Sequence, residues 1–213
     1  MKNSICEKMI WYALSPTIFR FIEQYWKDID IKSIKRLSKD NYKAMISRTP
    51  DIGSFRKNPL RIPLADGMLW LSVYDAMEGK MNQEQFGEMV SATIEAPMLK
   101  KNFQKQKAFD IKMQKKKIEK NKIANSASDS EFNWNTELIL GRDENEYTVI
   151  YHKCGLCALD KQEDHEELIP HMCKMDYETI AMMGGVLKRT GTLASGADCC
   201  DFYICKKGSK WDI

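Results

Sequence analysis

The sequence predicts an α+β fold, with a helical N-terminal half packed on an antiparallel sheet built from two C-terminal hairpins with an inserted helix. Three observations carry that expectation. Apolar residues recur at helical spacing through the first half of the chain. From Trp134 onward the period shortens to the alternation of strands around polar turns. Between the two strand pairs lies one more helical run, HEELIPHMCKMDYETIAMMG. Helices followed by hairpins imply segregated layers rather than alternating parallel units.

Taken in order, Ser15-Pro16 predicts a helix start, because proline is tolerated in a first turn. Ile18, Phe19, Ile22, Tyr25 and Trp26 then form one apolar face. A second helix is expected over 31–46, and the segment TPDIGSFRKNPLRIP reads as a loop, punctuated by three prolines and a glycine. A third helix follows over 64–77. Asn82 is placed to cap a fourth over 83–95, which stops before Pro97. The methionine and aromatic stripes of these helices read as core packing rather than a cofactor box.

Residues 99–124 predict a single basic helix, with lysines from Lys100 to Lys122 among Phe103, Phe109, Ile111, Met113 and Ile118. Clustered lysine is the signature of a nucleic-acid or anionic-membrane surface. No arginine accompanies these lysines to make bidentate contacts, so a solvated face with docked apolar residues is favoured. Neither a nucleic-acid nor a membrane partner is expected. The polar stretch NSASDSEFN then predicts a mobile loop.

The first hairpin is TELILG, a turn at 142–145 and EYTVIYHKC. The inserted helix spans 170–183 and ends at Gly184-Gly185. The second hairpin has strands near 186–194 and 199–205. One domain is expected over 1–213, with a helical scaffold over 1–98, a Lys-rich helix and linker over 99–130, and a sheet with a Cys-rich site over 131–213.

Net charge is only +3. Glu7 and Lys8 interrupt the first apolar run, which argues against a signal peptide, so a cytoplasmic location is expected. An odd cysteine count of seven fits free thiols in a reducing compartment. Six of them lie in the last third of the chain: Cys154, Cys157, Cys173, Cys199, Cys200 and Cys205. His152, His165 and His171 are there too. Cys173 and Asp176 share one helical face by their i,i+3 spacing. On the last strand, Cys199 and Asp201 face one way, and Cys200 and Phe202 the other.

Three chemistries fit these residues. A cysteine can act as nucleophile beside a carboxyl group that handles protons. Cys154, Cys157, Cys173 and Cys199 or Cys200 could ligate zinc with His165 or His171, although the second half of the set is a vicinal pair rather than a second C-x-x-C. Or the thiols are small buried hydrophobes.

The ordered set Lys153-Cys154, Pro170-x-x-Cys173-x-x-Asp176, Arg189-Thr190-x-Thr192-Leu193 and Gly196-x-x-x-Cys200-Asp201-Phe202 resembles the L-2-amino-thiazoline-4-carboxylic acid hydrolase family, as does Trp134 entering the first strand. Cys157 and Cys199 are extra to that pattern. The resemblance implies a hydrolase of a cyclic amidine or thiazoline, opening the ring of L-2-amino-thiazoline-4-carboxylate to N-carbamoyl-L-cysteine. It implies Cys173, Asp176 and Cys200 as catalytic residues, Cys173 as nucleophile or neighbour of the substrate sulfur and Asp176 as general acid or base. Cys154, Arg189 and Asp201 would bind substrate, Arg189 clamping the carboxylate. The implied partner is a small carboxylate-bearing substrate. A homo-oligomer stays open, as does a zinc-bearing or ligand-binding module without turnover, with Cys154, Cys157, Cys173 and Cys200 as alternative metal ligands.

Overall fold

The computed structural model describes Met1 and residues 5–212. Six helices come first: α1 (Ile5–Tyr25), α2 (Ile31–Arg48), α3 (Arg61–Ala76), α4 (Gln83–Ile94), α5 (Pro97–Gln104) and α6 (Ile111–Asn125). Strands β1 (Asn135–Leu140) and β2 (Glu146–Lys153) follow, then α7 (Gly155–Gln162), a 3-10 turn and α8 (Ile169–Met182). Strands β3 (Gly185–Lys188) and β4 (Cys200–Lys206) complete the order. The sheet runs β1-β2-β4-β3 and every pairing is antiparallel. The expected α+β architecture is therefore the observed one, and both hairpins are present.

Side-chain caps set several helix starts. Asp30 accepts from the amides of Lys32 and Ser33 ahead of α2. Asn82 and Gln85 form a reciprocal capping box at α4, as the sequence predicts. The helical layer buries Leu64, Met68, Trp70, Leu71 and Phe86 completely, each contributing about 1.5–3 kcal/mol of transfer free energy. Among the described residues, no helix is long and apolar enough to cross a membrane.

Several elements differ from the sequence expectation. Pro16 lies inside α1 rather than at its start, because Ile10, Trp11 and Leu14 before it are buried on the same face as Ile18 and Ile22 after it. Tertiary burial there outweighs the missing proline N–H. The Lys-rich run is two helices: α5 stops at Gln104, and Asp110 starts α6 anew by accepting from the amides of Lys112 and Met113. The segment after it is pinned by the fully buried Asn133, whose amide donates to the carbonyls of Ala124 and Ser128 and accepts from Asn58. Strand β3 is four residues long, and the rest of the expected strand is irregular chain at 189–192 leading into a capped 3-10 turn at Leu193–Ser195.

Helix α7 is a further addition. It packs on α3 where Gly67 leaves room for Leu156, since a Cβ at Gly67 would stand 2.4 Å from that side chain. Alternation puts Tyr147, Val149 and Tyr151 of β2, and Cys200, Phe202 and Ile204 of β4, on one face. Helices α6 and α8 lie against that face, α6 along β1 and α8 along β3. The site positions all follow from this face.

Candidate active site

At the Tyr151–Cys200 end of the sheet face, a cavity of about 120 Å³ opens between α3, α7, α8 and the strands. Cys154, Cys173, Asp176, Arg189 and Cys200 line it, set among Trp134, Tyr151, Met172, Met175 and Phe202. Five of the six residues that the sequence singles out thus meet at one place. They arrive from four different elements. Cys154 follows β2 as the N-cap of α7, Cys173 and Asp176 share one face of α8, Arg189 follows β3, and Cys200 opens β4.

Arg189 organises the wall. Its guanidinium donates to Asp176 Oδ2 at 3.0 Å and to the Cys173 carbonyl at 3.0 Å. It also lies over the rings of Tyr177 and Phe202, at 4.7 and 5.1 Å, a cation–π setting that keeps the planar group in place. Burial raises the Asp176 pKa to about 6, with Arg189 pulling in the opposite direction. Desolvation wins, so this carboxyl group can hold or release a proton near neutral pH.

The three cavity thiols differ in character. Burial and the nearby Asp176 charge push Cys173 up to about 12. Cys200 is pushed up to about 11 by burial, against the Leu193 amide that donates to its sulfur at 3.3 Å. Both are thiols at neutral pH. Cys154 is the exception: its pKa is lowered, first by the Cys157 thiol and, against burial, by the amides of Cys157 and Leu156. The sulfur closes no full cap hydrogen bond, but it sits where the first turn of α7 presents unpaired N–H groups. Cys157 is its hydrogen-bonding neighbour and is raised accordingly.

Asp201 lies apart from the cavity lining. Its carboxylate accepts from the Thr190 amide, the Thr190 hydroxyl and the Gly191 amide, which holds its pKa down at about 2. It anchors the segment that carries Arg189. His165 and His171 are elsewhere as well. His165 Nε2 meets Asp75 at 2.6 Å, and His171 lies in a separate groove beside Glu84 and Lys174.

Zinc is corrected by the geometry. Among the described residues, no group of three or more His, Cys, Asp or Glu side chains is placed to hold a metal ion. Cys154, Cys173 and Cys200 share the cavity lining but are not placed as the ligand set that a tetrahedral ion needs.

Sequence reasoning missed the aromatic and aliphatic lining. Tyr151 was legible from strand alternation, two and four residues from Val149 and Tyr147. It also missed Asp160 on α7, which is fully buried, has no hydrogen-bond partner on either side-chain oxygen, and is raised to about 8 by burial. No pattern in the sequence marks that residue.

Neither the curated proteins nor the solved structures contain a match to the chain. The family model described as L-2-amino-thiazoline-4-carboxylic acid hydrolase matches residues 64–204, a span that includes most of α3, the cavity-lining residues from Trp134 to Phe202 and most of β4. The chain belongs to the L-2-amino-thiazoline-4-carboxylic acid hydrolase family.

Proposed function

We propose that the cavity is the active site of a small-molecule hydrolase that opens the ring of L-2-amino-thiazoline-4-carboxylate to N-carbamoyl-L-cysteine. The observation that carries this reading is the convergence of a thiol whose pKa is lowered (Cys154), a near-neutral carboxyl group (Asp176) and an arginine fork (Arg189) on one small cavity. Its volume is below that of pockets for drug-sized ligands, in keeping with a single small ring.

In this mechanism the Cys154 thiolate attacks the substrate carbon between nitrogen and sulfur, with the amidine in its protonated form. That carbon–sulfur bond breaks, and Asp176 delivers its proton to the departing sulfur. An isothiouronium linked to Cys154 remains. Water adds to the same carbon, Asp176 accepts a proton from it, and Cys154 leaves as thiolate. A urea group results, and one proton passes to solvent. Cys173 and Cys200, held as thiols, supply a soft wall for the substrate sulfur. Arg189 has five N–H donors and spends one on Asp176 and one on Cys173, which leaves donors for the substrate carboxylate.

The test is release of a new thiol from L-2-amino-thiazoline-4-carboxylate by the full chain. Cys154→Ala and Asp176→Asn should lose turnover while keeping the wild-type melting profile. Full turnover by a folded Cys154→Ala protein would overturn the nucleophile, and no turnover by the wild type would overturn the substrate.

A further inference from the structure

A second concave site lies at the other end of the same sheet face. A groove of about 520 Å³ runs between α6, the 105–108 segment and the floor of the sheet. Lys105, Lys107, Lys116, Lys117 and Lys120 rim it, and no acidic residue lines it. Among the described residues none of these five ammonium groups has a salt-bridge partner. Its floor is apolar, made by Leu138, Tyr147 and Met183.

One buried polar side chain is part of its lining. Gln114 is 3% exposed and lines the groove. Its Nε2 is used, donating to the carbonyls of Ala108 and Glu144 at 3.0 Å each. Its Oε1 is buried with no hydrogen-bond partner. An unsatisfied buried acceptor costs free energy that a ligand donor would recover. Gln114 and Lys117 lie one turn apart on α6, and Lys116 and Lys120 continue the same flank. Lys117 is exposed as a residue, yet desolvation around its amine lowers its pKa. An anion beside it would reverse that direction.

We infer that this groove binds a nucleoside phosphate: phosphates on the lysine rim, the base over Leu138, Tyr147 and Met183, and an N–H of the base donating to Gln114 Oε1. Each part answers one feature. Several unpaired lysines suit a multiply charged phosphate, which lysine binds as a point charge. The apolar floor suits a ring. The lone deep acceptor selects a donor on that ring, which a fatty acyl chain lacks. The volume falls in the range of small-ligand pockets. The site is separate from the thiol cavity and does not depend on the hydrolase reading.

Calorimetric titration of the full chain with adenosine 5′-diphosphate, pyrophosphate and adenosine tests this. Adenosine 5′-diphosphate should bind one per chain, and more tightly than either fragment. Lys117→Gln, on the exposed flank of α6, should weaken it about tenfold, the loss of one charge-assisted hydrogen bond. Gln114→Met should weaken it as well, with melting curves showing that both variants are folded. Three results would each overturn the assignment: no saturable binding, binding of pyrophosphate as tight as the nucleotide, or affinity unchanged in Lys117→Gln. If Gln114→Met does not fold, equal affinity for adenosine 5′-diphosphate and for a diphosphate whose base has no N–H donor overturns it instead.

Discussion

Arg189 and Asp176 are bound to each other at 3.0 Å, and the same guanidinium grips the Cys173 carbonyl one turn earlier on α8. The arginine side chain is 9% exposed and the aspartate 28%. A residue just past β3 thus fixes two positions of a helix packed across it, and it does so at the cavity wall. The pair sets where the carboxyl group points. It also sets how readily that group gives up its proton, because the cation opposes the desolvation that raises its pKa.

From this follows a pH signature. If protonated Asp176 serves the leaving sulfur, kcat/KM falls as pH rises through about 6. In Arg189→Gln the opposing charge is gone, so the Asp176 pKa rises further and the alkaline limb moves to higher pH. The same variant should lose about 3 kcal/mol of stability, the low end for breaking a buried pair, because Asp176 is partly open. Asp176→Asn should lower the rate about 10²–10⁴-fold and abolish that limb. An unmoved limb in Arg189→Gln would assign it to another group.

The thiols can be ranked chemically. At neutral pH, a limiting amount of iodoacetamide should alkylate Cys154 before Cys173 or Cys200, since only Cys154 is lowered while the other two are raised to about 12 and 11. Peptide mapping reads the order directly. Preferential labelling of Cys173 would return the nucleophile to the residue that the family pattern first suggests.

That contrast shows what the sequence could carry. The positions of Cys173 and Asp176 on one helical face, and of Cys200 opposite Asp201, follow from periods of 3.6 and 2 and are legible residue by residue. The β1–β2 and β3–β4 pairings follow from hairpin connectivity, whereas the β2–β4 pairing that joins them does not. The difference between Cys154 and Cys173 does not, because it depends on α7. That helix has only eight residues and no side-chain cap, so it leaves little periodic signal. The split of the lysine run at Asp110 was equally hidden, as one capping side chain outweighed a continuous basic pattern. The family pattern implies Asp201 as substrate-binding, whereas strand parity points it away from Cys200.

Gly155 tests how tightly Cys154 is placed. A Cβ there would lie 2.2 Å from the Phe132 carbonyl oxygen and 2.6 Å from the Trp134 ring. The first contact is backbone, which cannot swing aside. Gly155→Ala should therefore destabilise the fold by about 1–3 kcal/mol and displace the start of α7. Denaturant unfolding gives the first effect. Loss of the selective Cys154 alkylation in the folded fraction gives the second, and a variant as stable and as selective as wild type would refute the close packing.

We propose that Asp201 positions the Thr190–Gly191 segment, to which it is hydrogen-bonded, and acid separates that role from substrate contact. Its folded pKa of about 2 lies below the ordinary 3.8, because Thr190 and Gly191 donate to the carboxylate. A depressed acid stabilises the fold above 3.8 and loses that contribution as pH falls towards 2. Asp201→Asn keeps the shape but can no longer accept all of these hydrogen bonds as an anion. The 190–191 segment should loosen and Arg189 with it, which weakens both the hold on Asp176 and the carboxylate clamp, so kcat falls and KM rises. The variant should also show a shallower loss of stability between pH 4 and 2 than wild type. A residue whose only role was to touch substrate would raise KM and leave both kcat and the acid profile unchanged. Kinetics and acid unfolding of one variant therefore decide between the two roles.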